Sequence, residues 1–191
     1  IIFKQIKQGE KITIKIIEKI IEDNWNNIVF RREEENLKFK AAAKNQIVHF
    51  FKDKLSEFNT DNIFSIEESF HYPINENLLV DGRYDLILKN KKNIEIIDFK
   101  TGEHKDENYE TQLSFYKYCF NEKYKNNNIN LFLIYLKDNK KVKVNEKPLK
   151  DINKLILSTA KAIETKDFKA KPGKHCSDCA YISICDSAPK K

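Results

Sequence analysis

Asp85, Asp98 and Lys100 are the residues whose types and spacing most directly suggest chemistry in this chain. They lie in the stretch 80–102, VDGRYDLILKNKKNIEIIDFKTG, where Asn90-Lys91-Lys92-Asn93 reads as a turn between two apolar strands. A hairpin symmetric about Lys91 and Lys92 pairs residues whose numbers sum to 183, which sets Asp85 opposite Asp98. Side chains alternate along a strand, so Lys100 shares the face of Asp98 while Phe99 points to the other. Residues directly across a ladder stand about 4.5–5.5 Å apart at Cα, and two carboxylates placed there repel. A hard divalent cation, Mg²⁺ or Mn²⁺, offsets such repulsion because it takes oxygen ligands from one or two carboxylates and keeps waters for chemistry. Lys100 beside it would orient or help deprotonate an attacking water, and its charge would favour a developing anion.

The same residues, with Asp81 and Arg83, would also serve as the solvated face of an amphipathic hairpin. Two features favour chemistry. Arg83 is an arginine in a chain whose other arginines are Arg31 and Arg32 and whose default base is lysine. The neighbouring Leu86-Ile87-Leu88 and Ile96-Ile97 imply strands buried on both sides, where a charge needs a partner.

Elements must hold these residues, and the pattern supplies them. Ile14, Ile16, Ile17, Ile20, Ile21 and Trp25 recur at helical spacing after Thr13, a capping residue. A second helical stretch covers 33–58, with Leu37, Ala41, Ile47, Val48, Phe51, Leu55 and Phe58 near one stripe. The period then shortens: 63–70, 78–89, 94–99 and 130–136 read as strands, with a fifth at 141–145. Helical spacing returns over 107–124 and 150–165. The expected fold class is therefore α/β: a central mixed sheet opened by a hairpin and flanked by helices, with a helical lead-in over 1–60, sheet and site over 61–147, and a helix and cysteine tail over 148–191. All 191 residues fit one domain.

Composition narrows the classes. Four glycines, four prolines and 12% aromatic residues exclude collagen-like, linker-like and globally disordered chains. The longest apolar run, 131–136, is far short of the roughly 20 residues that cross a bilayer. No secretory leader opens the sequence, so a cytoplasmic protein with no membrane partner is expected. The absence of methionine leads us to expect natural residues ahead of Ile1. The net charge of +6 permits a nucleic-acid partner, and it is also what a Lys/Asn/Ile-rich, AT-rich coding sequence would give.

With these residues in view, the sequence resembles the PD-(D/E)xK nuclease superfamily and within it the RecB-like branch, found in helicase-nucleases and in CRISPR-associated integration nucleases. The matching stretches are Glu67-Glu68-Ser69-Phe70, Gly82-Arg83-Tyr84-Asp85, Ile97-Asp98-Phe99-Lys100-Thr101-Gly102 and Gln112-Leu113-Ser114-Phe115-Tyr116. The resemblance implies a restriction-endonuclease-like fold and a metal-dependent deoxyribonuclease. In it Asp85 and Asp98 bind Mg²⁺ or Mn²⁺, Lys100 is the catalytic lysine and Glu67 assists. Gln112 and Tyr116, with Arg83, contact DNA, single-stranded or at duplex ends. Gln112 and Tyr116 are four apart, so a helix presents both on one face. An exonuclease module of DNA repair or recombination is expected, attached to a helicase in the same chain or a partner subunit. The lead-in before Glu67 and the approach through Asp167-Phe168 and Lys171-Pro172-Gly173 favour that over a CRISPR-associated spacer-processing nuclease. The family's leading histidine is missing, since His49 and His71 lie in other segments, and this would impair activity. A catalytically silent DNA-binding or docking module is the alternative.

Cys176, Cys179 and Cys185 have C-x2-C-x5-C spacing, which reads as metal ligation before disulfides. With His175 a zinc site is open. The resemblance implies a 4Fe-4S cluster with an upstream fourth cysteine, which this chain lacks, because Cys119 sits three after Tyr116 and reads as a small buried residue.

Overall fold

The computed structural model describes residues 1–25, 32–102, 109–125, 128–167 and 169–188, so the expected helix start at 107–108 and Phe168 lie outside the described residues. The chain runs α1 (Ile2–Lys7), α2 (Ile14–Trp25), α3 (Glu33–Lys54), β1 (Ile63–Asn75), β2 (Leu78–Asn90), β3 (Asn93–Lys100), α4 (Tyr109–Tyr124), β4 (Ile129–Tyr135), β5 (Lys140–Lys143) and α5 (Leu149–Glu164). Turns of 3-10 helix lie at Leu55–Glu57, Lys174–Asp178 and Ile182–Ile184. Two compact units are distinguished, Ile1–Ile152 and Asn153–Lys191.

Local chemistry explains the first helices. Thr13 starts α2: its Oγ1 accepts the Ile16 N–H at 3.4 Å and its carbonyl accepts the Ile17 N–H at 3.0 Å. Ile17 and Ile21, one turn apart, are buried. Glu33, Glu34 and Glu35 open α3, where negative charge meets the positive end of the helix dipole. The expected stripe on α3 holds from Ile47 onward and fails at Leu37, which is 59% exposed. That half of α3 is tied to α2 by polar contacts instead: Trp25 Nε1 donates to Asn36 Oδ1 at 2.7 Å, and Lys40 pairs with Glu22.

The five strands lie in the order β1-β2-β3-β4-β5. β2 and β3 pair antiparallel from Asn90↔Asn93 to Leu86↔Ile97, the expected register, with Lys91 at φ 54° in the turn. β1 runs past the expected 63–70 to Asn75, and its Pro73 is tolerated because β1 is an edge strand. β3 and β4 are parallel, which requires a crossover connection, and α4 lies within it. The result is an α/β fold with a mixed sheet between helices. α1, α2 and α3 cover one face through Ile6, Ile17, Ile21, Phe50 and Phe51 against Leu86, Leu88, Ile97 and Ile134. α4 covers the other through Leu113, Cys119 and Phe120 against Tyr84, Ile87, Ile96 and Leu133. Among the described residues no helix is long and apolar enough to cross a membrane.

Gly82 shows how tightly the α4 face is filled. It pairs with Phe70 across β1 and β2, and a Cβ there would lie 2.5 Å from Phe70 Cζ, a ring already 4.6 Å between centroids from Tyr84. Gly82→Ala should therefore destabilise the protein by about 1–3 kcal/mol in urea titrations, and adding Phe70→Leu should recover part of the loss. An unchanged midpoint for Gly82→Ala would show that the ring moves aside freely.

Candidate active site at the end of β3

β3 is flanked by β2 and β4, and its residues Ile94, Ile96 and Ile97 are buried. Asp98 continues this strand beside Leu133 of β4 and is only 4% exposed. The ladder pairs between β2 and β3 run as far as Leu86↔Ile97, one step short of Asp85 and Asp98. Beyond them a side chain takes over from the backbone, as Asp85 Oδ2 accepts the Phe99 N–H at 2.9 Å. Asp85 is thus anchored to the strand that carries Asp98.

Strict alternation, from which the facing of Asp85 was expected, does not run through the hairpin. On β2, Tyr84 packs with α4 while Leu86 packs with α1–α3. On β1, Glu68 reaches Lys123 and Tyr124 of α4 while Ile66 packs with α1–α3. Residues two apart should share a face, so β2 reverses once, and β1, which already changes facing between Phe64 and Ile66 near its irregular pairing with β2, reverses again before Glu68. The reversal falls at Asp85 and Glu67, which the pairs Ile66↔Leu86 and Glu68↔Tyr84 set opposite each other. Glu67 has φ 50°, a left-handed conformation costly for a residue with a Cβ. Such irregularities re-aim side chains near functional sites. Nothing in the sequence marked this one, because no glycine stands there.

Lys100 lies on the Asp98 face, with Nζ 2.7 Å from Asp98 Oδ2. This ion pair is the contact that Asp98 Oδ2, a buried oxygen, makes among the described residues. Gln112 of α4 ties the set together. Its Nε2 donates to Asp98 Oδ1 at 3.3 Å and to the Tyr116 hydroxyl at 3.1 Å, while its Oε1 accepts from Lys100 Nζ at 3.2 Å. Burial pushes the Asp98 carboxyl up from its ordinary value; Lys100 pulls it down, Asp85 pushes it up, and the net shift is upward. Burial also raises the Tyr116 hydroxyl, with Gln112 and Arg83 lowering it and Asp98 and Asp85 raising it, so all five groups act on one small volume.

Arg83 and Glu67 lie at the edge of this volume, with Arg83 Nε 2.9 Å from Glu67 Oε2 in an exposed ion pair worth little to stability. The sequence reading missed Tyr109, whose ring centroid lies 4.2 Å from Lys100 Nζ. Its spacing was the available signal, because 109, 112 and 116 fall on one helical stripe.

Among the described residues no three His, Cys, Asp or Glu side chains gather to hold a metal ion. Glu67, bonded to Arg83, does not complete a trio with Asp85 and Asp98. The convergence expected of Cys176, Cys179 and Cys185 is likewise not found. Cys176 Sγ accepts the Gly173 N–H at 3.4 Å, and Cys185 is exposed. Neither a 4Fe-4S cluster nor a zinc site is therefore supported among the described residues. Cys119 is buried, which pushes its thiol up to about 12.

A carboxylate pair on adjacent strands, with a lysine two residues beyond the second acid on a mixed sheet, defines an acid-x-lysine site. The sequence profile of the PD-(D/E)XK nuclease superfamily matches residues 3–186, and the chain belongs to that superfamily. No curated protein matches it. A solved structure titled "Crystal structure of SSO0001" is similar over 93% of this chain and 98% of its own, at 17% identity and a TM-score of 0.49. The superfamily implies a divalent cation, and the donor chemistry fits one, since the buried Asp98 carboxylate, with Asp85 acting on it, offers the hard oxygens that Mg²⁺ or Mn²⁺ takes.

The raised Asp98 pKa has a signed consequence in the metal-free protein. The native state holds this proton to higher pH than the unfolded chain, so the group favours folding below its unfolded pKa and loses that contribution as pH rises through the folded value. In chelator, Asp98→Asn should match or exceed wild-type stability at neutral pH, and the difference should shrink as pH falls toward 4. Urea titrations across that range check it, and a variant much weaker than wild type at neutral pH would show that the Lys100 contact outweighs burial.

Proposed function

We propose that this chain is a divalent-metal-dependent deoxyribonuclease domain of the RecB-like branch, acting in DNA repair or recombination as the exonuclease module of a helicase-nuclease. The observation that carries the reading is the convergence of Asp98, Lys100, Gln112 and Tyr116 at the end of β3, with Asp85 anchored to Phe99, in a chain of this superfamily. Asp85 and Asp98 are the residues that would hold the cation. A bound Mg²⁺ or Mn²⁺ supplies Lewis acidity toward the phosphodiester and lowers the pKa of water. Lys100 places a fixed positive charge where the phosphoryl oxygens gain negative charge. Gln112 orients both the acid and the lysine. Tyr116, which accepts from Gln112, keeps its own hydroxyl proton to donate to a phosphate. Arg83 presents a planar cation to the DNA backbone, with Glu67 as its partner and an added acid beside the site. The helical lead-in before Glu67 supports helicase linkage over a CRISPR-associated role.

One observation favours a second reading, a silent DNA-binding module: Glu67 is engaged by Arg83, and three carboxylates do not gather among the described residues. Incubation with single-stranded and blunt duplex DNA in Mn²⁺ separates the two. Cleavage by the wild type, abolished in Asp98→Ala with the circular dichroism unchanged, is the expected result. DNA binding without cleavage would establish the silent module, and full activity in Asp98→Ala would show that the carboxylates are wrongly assigned.

A further inference from the structure

Tyr109 opens α4 and sets the face of its ring against Lys100, 4.2 Å from Nζ to the ring centroid. We propose that Tyr109 is a positioning residue for hydrolysis, holding the Lys100 ammonium at the reacting phosphate through its ring face. The proposal rests on the nuclease reading above and deepens it.

A lysine at a reaction centre has a positioning problem. Its ammonium is a compact charge on a flexible four-carbon stem, and a strongly hydrated one, so it swings into water unless its neighbours hold it. Two polar neighbours do so here, Asp98 Oδ2 at 2.7 Å and Gln112 Oε1 at 3.2 Å. Asp98 is also the residue that would hold the cation, so its grip on Lys100 weakens whenever its charge is drawn elsewhere. Gln112 already divides its amide among Lys100, Asp98 and Tyr116. The Tyr109 ring is a holder of another kind. It attracts a cation through its quadrupole and takes no part in the competition for carboxylate oxygen.

The surroundings strengthen the contact. The Lys100 side chain is 19% exposed, and cation–π attraction grows as the cation loses water. Tyr109 is partly buried and packs against the cluster on the α4 face, which restrains the ring that Lys100 meets. Tyr109, Gln112 and Tyr116 follow i, i+3, i+7 spacing, so one helix delivers the ring, the amide and the phenol to the same end of β3.

The test uses the full chain and two readouts. In chelator, the Lys100 Hε resonances should be shifted upfield by the ring in wild type and in Tyr109→Phe, and should return to ordinary lysine positions in Tyr109→Leu. With Mn²⁺ and single-stranded DNA, Tyr109→Leu should lose about tenfold in kcat with KM little changed, while Tyr109→Phe stays within about twofold of wild type, the range a partly desolvated cation–π contact supports. Tyr109→Met repeats the comparison if leucine perturbs α4 in the amide spectrum. Unshifted Lys100 resonances in wild type, a Tyr109→Leu enzyme as fast as wild type, or a Tyr109→Phe enzyme as slow as Tyr109→Leu would each overturn the proposal. Failure of the underlying nuclease reading is distinct, because it would be a wild type that cleaves no DNA with Mn²⁺ whatever the Lys100 resonances show.

Discussion

A carboxylate held 4% exposed in a strand with neighbours on both sides is expensive unless it is paired, and the arrangement around β3 follows from keeping Asp98 there. Lys100 answers the charge from the same strand, since two residues of rise return a side chain to the same face. Gln112 answers it from above, and it can do so because β3 and β4 are parallel, which forces a crossover and puts α4 over the face that Asp98 uses. Topology, register and site chemistry are therefore one constraint. An antiparallel β3–β4 pair joined by a tight turn would leave Asp98 without its amide.

The reversal at Glu67 and Asp85 is the second consequence. Below it, Leu86 and Leu88 fill the core under α1–α3; above it, Tyr84 and Phe70 fill the core under α4. Both sets are buried only if the two strands change facing between them, and the left-handed Glu67 backbone is where the change is taken up. That strain costs on the order of 1–3 kcal/mol. Burying the rings of Tyr84 and Phe70 offsets it at about 1.5–3 kcal/mol for a side chain of this kind.

The β2–β3 register was legible in the sequence because a short polar turn between apolar runs leaves one symmetric pairing. The strand and helix order was legible because the period changes cleanly near residue 60. α1, with six residues, is shorter than the span over which helical periodicity shows. The extension of β1 through Pro73 depends on its being an edge strand, which is a property of the sheet and not of the segment. Glu67 carries no glycine signal, so its left-handed backbone could not be read. The cysteine run was legible as spacing alone, and spacing does not decide where sulfurs point when the run supplies three of them.

Position 112 shows why a site of this kind needs an amide. The residue there must donate to Asp98 Oδ1, donate to the Tyr116 oxygen and accept from Lys100, and a primary amide carries two donor hydrogens and one carbonyl oxygen in that ratio. The three contacts also fix which end of the amide faces the acid, because a flipped side chain would set its oxygen against Asp98 and its nitrogen against the ammonium. Glutamate, isosteric with glutamine, could accept from Lys100 but could not donate to Asp98, and would add a third negative charge beside two. Gln112 is matched to an acid, a lysine and a phenol at once, and through it each of the three is positioned by the other two.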